Sequence, residues 1–219
     1  MLEENINYQY ITDFIYQNTP DTNPFLTELE VYAKENFVPI ITRETRRFLE
    51  MLLQVKQPKR ILEIGTAIGY SALVFEQATG APVDTIEIND KAVKLAISNI
   101  HRAGKEKKIT IYHGDALTIL KVLKQETYDV IFIDAAKGKY PEFFRLCFPL
   151  LKQGGLLICD NILYKGMVAN EALLPRKKRA LVHKLQRFIA YLMRHTELTS
   201  SIVPIGDGLM VSMKRSATS

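Results

Sequence analysis

At 219 residues the chain fits one domain, and a chain of ~200 residues buries roughly 70% of its unfolded surface. Hydrophobic residues make up 47% and charged residues 24%, ordinary for a globular protein, which excludes a disordered, collagen-like or disulfide-stapled chain. Lys plus Arg number 29 against 24 Asp plus Glu, a net charge of +5, so the excess matters only where it clusters.

The first ten residues, MLEENINYQY, hold two glutamates and lack the basic-then-apolar pattern of a secretion signal. No apolar run approaches the ~18 residues of a membrane span. Cys147 and Cys159 lack CxxC spacing and sit in apolar surroundings, as reduced core thiols do. The expectation is a cytoplasmic protein with no membrane partner.

Residues 1–55 read as a helical extension. Asn23-Pro24 is an N-cap followed by proline at the first helical position. Thr42 caps the next helix, where Phe48, Met51, Leu52 and Val55 recur at i, i+3, i+4 and i+7 as one apolar stripe, and Pro58 stops it. From residue 60 the rhythm changes. Short runs rich in Ile, Val and Leu appear at Arg60–Ile64, Val83–Ile88, Lys108–Tyr112, Tyr128–Ile133 and Gly155–Cys159, with amphipathic stretches between them such as Asp90–Ala103 after Asn89. That alternation argues for a parallel sheet covered by helices on both faces. Leu173–Arg194 reads as a long basic helix. Leu198–Pro204 and Leu209–Lys214 flank Gly206-Asp207-Gly208 as a terminal antiparallel hairpin. With no repeat or linker, the simplest account is a single domain over 1–219, its core spanning 60–214.

Three features fall at the carboxyl ends of the first three strands, where open α/β sheets bind ligands. Residues 61–71 read ILEIGTAIGYS: a strand ends at Gly65 and Gly69 opens a helix, so the backbone can turn tightly and let a ligand approach. This G-x-x-x-G is not the dinucleotide G-x-G-x-x-G. Glu87 ends the second strand about twenty residues on, where a carboxylate accepts both hydrogens of a ribose diol. Asp115 and Ala116 follow the third strand, where a purine ring would lie. Together these residues resemble the S-adenosylmethionine-dependent methyltransferases, in which Glu63 matches the acidic residue of the first motif and the hairpin the usual final strand pair. The resemblance implies a doubly wound, mostly parallel, seven-stranded Rossmann-like sheet.

Strand four ends YDVIFIDAAKGKY and strand five GGLLICDNILYKG, so Asp134 and the Asp160-Asn161 pair emerge on one sheet edge. Two carboxylates and an amide oxygen are hard ligands suited to Mg²⁺, and no Cys/His cluster points to zinc. Lys137 lies three residues after Asp134. Beside a cation an ammonium is pushed toward its neutral form and can take a proton from a substrate hydroxyl. This set narrows the resemblance to the catechol and caffeoyl-CoA O-methyltransferase group over about residues 38–214: Asp134, Asp160, Asn161, Lys137 and Gly206–Gly208 match its D…DN, lysine and GDG positions. Carried over by position, Glu87 holds the ribose, Ser71 the methionine carboxylate end, Ala116 the adenine edge, and Ile41 lies over the cofactor. One departure is Arg46, which stands where plant-type members carry glycine.

Arg43, Arg46 and Arg47 on one segment, and Arg176, Lys177, Lys178 and Arg179 on another, would form a basic rim suited to a polyanion. The N-terminal ITDFIY…VPI run and the short insertion before PRKKR are similar to a bacterial branch, the tRNA 5-hydroxyuridine methyltransferases that make 5-methoxyuridine at the wobble position. A 5-hydroxyl beside the 4-oxo group is a vicinal oxygen pair, as in a catechol, and an anticodon loop offers an unstacked base on a phosphate backbone. The leading expectation is therefore a tRNA wobble-uridine O-methyltransferase using S-adenosylmethionine and Mg²⁺. A methyltransferase of small catechols shares the residues but not the rim, and a non-catalytic cofactor- or RNA-binding module has no need of metal ligands. The resemblance also implies a homodimer, with Ile6–Ile15 as a candidate interface stretch.

Overall fold

The computed structural model describes residues 6–216. By compactness the chain divides into two units: Phe14–Val122, and Leu123 onward together with the residues up to Asp13. Within the first of these, the helices Pro24–Glu35 and Arg43–Lys56 pack onto the helix Tyr70–Thr79.

In the first unit, α2 (Pro24–Glu35) starts where the sequence indicates: the Asn23 side chain accepts the Leu26 N–H at 2.8 Å, and Pro24 takes the first turn. Helix α3 (Arg43–Lys56) is capped by Thr42, and Gln57 closes it in the left-handed region. Its phase differs from expectation. The buried positions are Thr45, Arg46, Leu49 and Leu53, whereas Met51 is 49% and Val55 76% exposed. A polar pair on the packed face misleads any count that scores only apolar residues. Strands β1 (Ile61–Ile64), β2 (Val83–Glu87) and β3 (Ile109–His113) are parallel, with β2 in the middle and Val83 paired with both Ile61 and Ile109. Their crossovers carry α4 (Tyr70–Thr79) and α5 (Asp90–Arg102), the latter capped by Asn89 on the Lys91 and Ala92 N–H groups. The one-turn α6 (Ala116–Ile119) follows β3.

In the second unit, β4 (Tyr128–Ile133) pairs in parallel with β5 (Leu151–Cys159), and β5 pairs antiparallel with β7 (Leu209–Lys214), which pairs with β6 (Leu198–Val203). The terminal hairpin is as the sequence indicates. Strand β5 starts at Leu151 rather than the expected Gly155. Gly154 at φ 70° and Gly155 let it kink and continue; a Cβ on Gly155 would lie 2.7 Å from the Lys152 carbonyl oxygen. Helix α7 (Tyr140–Cys147) links β4 to β5. The basic segment is not one helix from Leu173. Pro175 precedes a short 3-10 turn at Arg176–Lys178, and α8 runs Arg179–Arg194, burying Val182, Leu185, Phe188, Ile189 and Leu192. Proline has no N–H to give the preceding turn and disfavours helical backbone at Leu174 before it, so no α-helix runs through Pro175 from Leu173. Cys147 and Cys159 are buried free thiols, pushed well above the usual thiol range by burial. The N-terminal α1 (Gln9–Asn18) buries no residue. Among the described residues no helix is long and apolar enough to cross a membrane.

Candidate active site

The glycine-loop set lies within residues 14–122. Gly65 (φ 103°), Ala67 (φ 46°) and Gly69 (φ 83°) all stand at positive φ, so the loop leaves β1 in a path most side chains resist. Gly69 caps α4, and a Cβ there would sit 3.5 Å from the Ala96 Cβ. Glu87, at the end of β2, closes the loop: Oε2 accepts the Ala67 N–H at 3.0 Å, and Oε1 accepts those of Ile88 and Asn89 at 2.9 and 2.8 Å. A carboxylate offers about four lone-pair sites, so capacity for a hydroxyl remains. Asp115 caps α6 by accepting the Leu117 N–H at 2.9 Å, with Ala116 next to it. Gly65, Glu87 and Asp115 thus follow or end adjacent parallel strands, as the sequence indicates.

Glu63 is fully buried and accepts the Thr85 hydroxyl at 2.6 Å, while Thr85 also bonds Thr66 at 2.6 Å. It shapes the loop from beneath. Ile41 and Ser71 are buried, Ser71 in the first turn of α4.

The basic N-terminal segment departs from expectation. Arg46 is only 2% exposed. Its guanidinium lies 2.9 Å from Glu50, 3.6 Å from Glu30, and 3.1 Å from the Pro20 carbonyl oxygen; Tyr70 donates its hydroxyl to Glu30. This arginine is a buried structural ion pair and cannot meet a phosphate. Arg43 is paired with Asp21 and stacked 4.6 Å over Tyr16. Arg47 alone of the three is mostly exposed, and it too reaches Glu50, at 3.4 Å. The rim expected from this segment is therefore reduced to Arg47.

The acidic set lies in the second unit. Asp134 follows β4, and Asp160-Asn161 follows β5, with the Asp160 N–H donating to the Ile133 carbonyl at 3.0 Å. The Asp160 carboxylate accepts the Asn161 N–H at 2.6 Å, and the buried Tyr140 hydroxyl donates to the Asp160 carbonyl at 2.8 Å. Burial first, and then repulsion from Asp134, push the Asp160 carboxyl up to about 8; burial also raises Asp134. Two carboxylates that resist ionising together are relieved by a cation. Lys137 donates to the Asn161 amide oxygen at 2.8 Å. Its charge opposes the effect of burial on Asp134, Asp160 and Asp207. It is surrounded by carboxylates, an environment the spacing alone does not show. No group of three His, Cys, Asp or Glu side chains arranged for a metal occurs among the described residues; here the third donor is an amide, and the Asp134, Asp160 and Asn161 oxygens suit a hard divalent ion.

Beyond this set, Arg176, Lys177 and Arg179 are exposed, while Lys178 lies 4.8 Å over the Tyr164 ring, with Lys137 5.9 Å from the same ring. Sequence reasoning misses Tyr164, an aromatic surface in the loop after Asn161, and gives Asp207 as part of a turn and of the GDG match without a role of its own.

An O-methyltransferase family model matches residues 17–215. The chain is 32% identical to caffeoyl-CoA O-methyltransferase 2 of Populus trichocarpa, covering 95% of this chain and 88% of that protein. It is 35% identical to a catechol O-methyltransferase of Niastella koreensis over 72% of each chain. The crystal structure of a candidate caffeoyl-CoA O-methyltransferase from Staphylococcus aureus matches at TM-score 0.84 and 36% identity, covering 94% of this chain and 98% of that one. The architecture is thus the α/β Rossmann-like methyltransferase fold, with a seven-stranded mixed sheet, a C-terminal antiparallel hairpin and N-terminal helices. With its motifs, its sheet and its relatives in agreement, the chain belongs to the O-methyltransferase family.

Proposed function

We propose that this enzyme transfers a methyl group from S-adenosylmethionine to a hydroxyl that has a second oxygen beside it, and that its acceptor is 5-hydroxyuridine in a tRNA anticodon loop. In the transfer the acceptor oxygen forms the new C–O bond, the sulfonium C–S bond breaks, the sulfur becomes a neutral thioether, and the hydroxyl proton leaves. The Gly65–Gly69 loop and Glu87 receive the donor, Glu87 on the ribose. Asp134, Asp160 and Asn161 would hold Mg²⁺, which when bound supplies Lewis acidity to a vicinal oxygen pair. Lys137 donates to the Asn161 oxygen, and the hydroxyl proton would pass to its amine in the neutral form that a neighbouring divalent ion favours. Holding donor and acceptor in line can supply ~7–11 kcal/mol, so positioning outweighs the base.

The observation that carries the tRNA reading is the basic Arg176–Arg179 run, exposed except at Lys178, which is seated on Tyr164 just past the Asp160-Asn161 pair. It carries four positive charges on the same stretch of chain as Asp160 and Asn161, which supports reading them as phosphate contacts. The test is methyl incorporation into tRNA carrying 5-hydroxyuridine compared with free catechols. Turnover of the tRNA at low micromolar concentration, weakened by salt, supports the reading. Equal or better turnover of free catechols favours the second reading, a small-phenol methyltransferase, for which the names of the similar proteins speak. By family habit the enzyme is proposed to work as a homodimer in the cytoplasm.

A further inference from the structure

Three non-glycine residues of the loop after β5 stand in the left-handed region: Asn161, Tyr164 and Lys165, at φ 52, 47 and 55°. Such residues persist only where the surroundings over-determine them. Here the constraint comes from the turn between β6 and β7, some 42 residues away in sequence. The Ile162 N–H donates to the Gly208 carbonyl at 2.8 Å and the Leu163 N–H to the Asp207 carbonyl at 3.1 Å. The Lys165 N–H donates to the Asp207 carboxylate at 2.5 Å. Gly208 sits at φ 85°, and a Cβ there would lie 2.5 Å from the Leu163 Cγ. The turn therefore presents bare backbone to one side chain of the loop and a carboxylate to its far end.

We propose that Asp207 is a positioning residue: by binding the Lys165 N–H it holds the Asn161–Lys165 loop, and so keeps the Asn161 amide oxygen and its Lys137 partner set for a cation. The inference rests on reading Asp134, Asp160 and Asn161 as a divalent-cation site. Within the loop, Asn161 is bound by Lys137 through its side chain and accepts the Tyr164 N–H at 3.3 Å through its carbonyl. Releasing the Lys165 end thus frees the Tyr164 peptide, which in turn bears on Asn161. Burial raises the Asp207 carboxyl, while the Lys165 N–H and the Lys137 and Lys165 charges favour its ionised form. When ionised it is a charge-assisted acceptor, roughly twice as strong as a neutral one.

The experiment measures Mn²⁺ affinity and S-adenosylhomocysteine affinity by calorimetry on the full chain, for wild type, Asp207→Ala and Asp207→Asn, with circular dichroism as the check on folding. Partners that orient metal ligands typically carry 10–100-fold in affinity. On that scale Asp207→Ala is expected to weaken Mn²⁺ at least about tenfold, and Asp207→Asn about threefold since its amide oxygen still accepts, with S-adenosylhomocysteine affinity within about twofold in both. Mn²⁺ affinity within twofold of wild type in folded Asp207→Ala overturns the proposal. If that variant does not fold, Asp207→Asn decides by the same twofold limit. An equal fall in both affinities also overturns it, because the effect is then not confined to the cation residues. Wild type that binds no Mn²⁺ removes the cation-site reading and this inference with it, an outcome distinct from wild-type binding that Asp207 does not affect.

Discussion

Replacing Arg46 by methionine should destabilise the protein by about 3–5 kcal/mol, the range for breaking a buried ion pair by removing one partner. The magnitude follows from what is left behind. Arg46 is 2% exposed and engages Glu50, Glu30 and the Pro20 carbonyl. Methionine keeps most of the volume but leaves two half-buried glutamates without their shared cation, and Tyr70 still donating to one of them. At about 2–4 °C per kcal/mol for a chain of this size, the melting temperature should fall by roughly 6–20 °C. Urea unfolding gives the free energy directly. The triple variant Glu30→Gln/Arg46→Met/Glu50→Gln should recover much of the loss, since no uncompensated charge remains. A loss below about 1 kcal/mol for Arg46→Met, or a triple variant no better than the single one, would refute the buried-pair reasoning.

The site itself sets further expectations. Because burial and the neighbouring Asp134 push the Asp160 carboxyl up to about 8, Mg²⁺ has to displace a proton shared by the pair at lower pH; apparent affinity should climb as pH rises through neutrality, as read by calorimetry. The same shift has the opposite sign for the metal-free fold: a carboxyl raised from 3.8 to about 8 keeps a proton in the native state that the unfolded chain has lost, so stability in urea should fall as pH rises through that window. Asp160→Ala should reduce methyl transfer more than Lys137→Ala in steady-state assays, and the reverse order contradicts the weight given to positioning. Changing Arg176, Lys177, Lys178 and Arg179 to glutamine should flatten the salt dependence of tRNA binding by several units of log–log slope, while leaving turnover of a free catechol within about threefold.

Much of this is legible from local chemistry. Asn23, Thr42 and Asn89 announce their helices because capping needs only a side-chain oxygen near the next N–H groups. The Ile- and Val-rich runs mark β1 to β4, and the Gly206–Gly208 turn marks the hairpin. Arg46 is misplaced by sequence reasoning because its burial depends on Glu30 and Pro20, neither of which a local count of charges connects to it. The register of α3 fails for the same reason, since Thr45 and Arg46 occupy its packed face. The start of α8 is blurred by basic residues that suit a helix although Pro175 interrupts it. The role of Asp207 rests on its meeting with Lys165, a loop and a turn that lie 42 positions apart in the chain, and no short-range pattern encodes such a meeting. Tyr164 is likewise defined by Lys178 and Lys137, which reach its ring from separate segments.

The most direct measurement of the central claim compares methyl transfer to a vicinal diol and to the matching monohydroxy compound, before and after removal of divalent ions by EDTA and restoration with Mg²⁺. The account predicts transfer to the diol only, lost with EDTA, regained with Mg²⁺, and absent in Asp160→Ala whatever the ion. Equal transfer to both compounds, unaffected by EDTA, would contradict it.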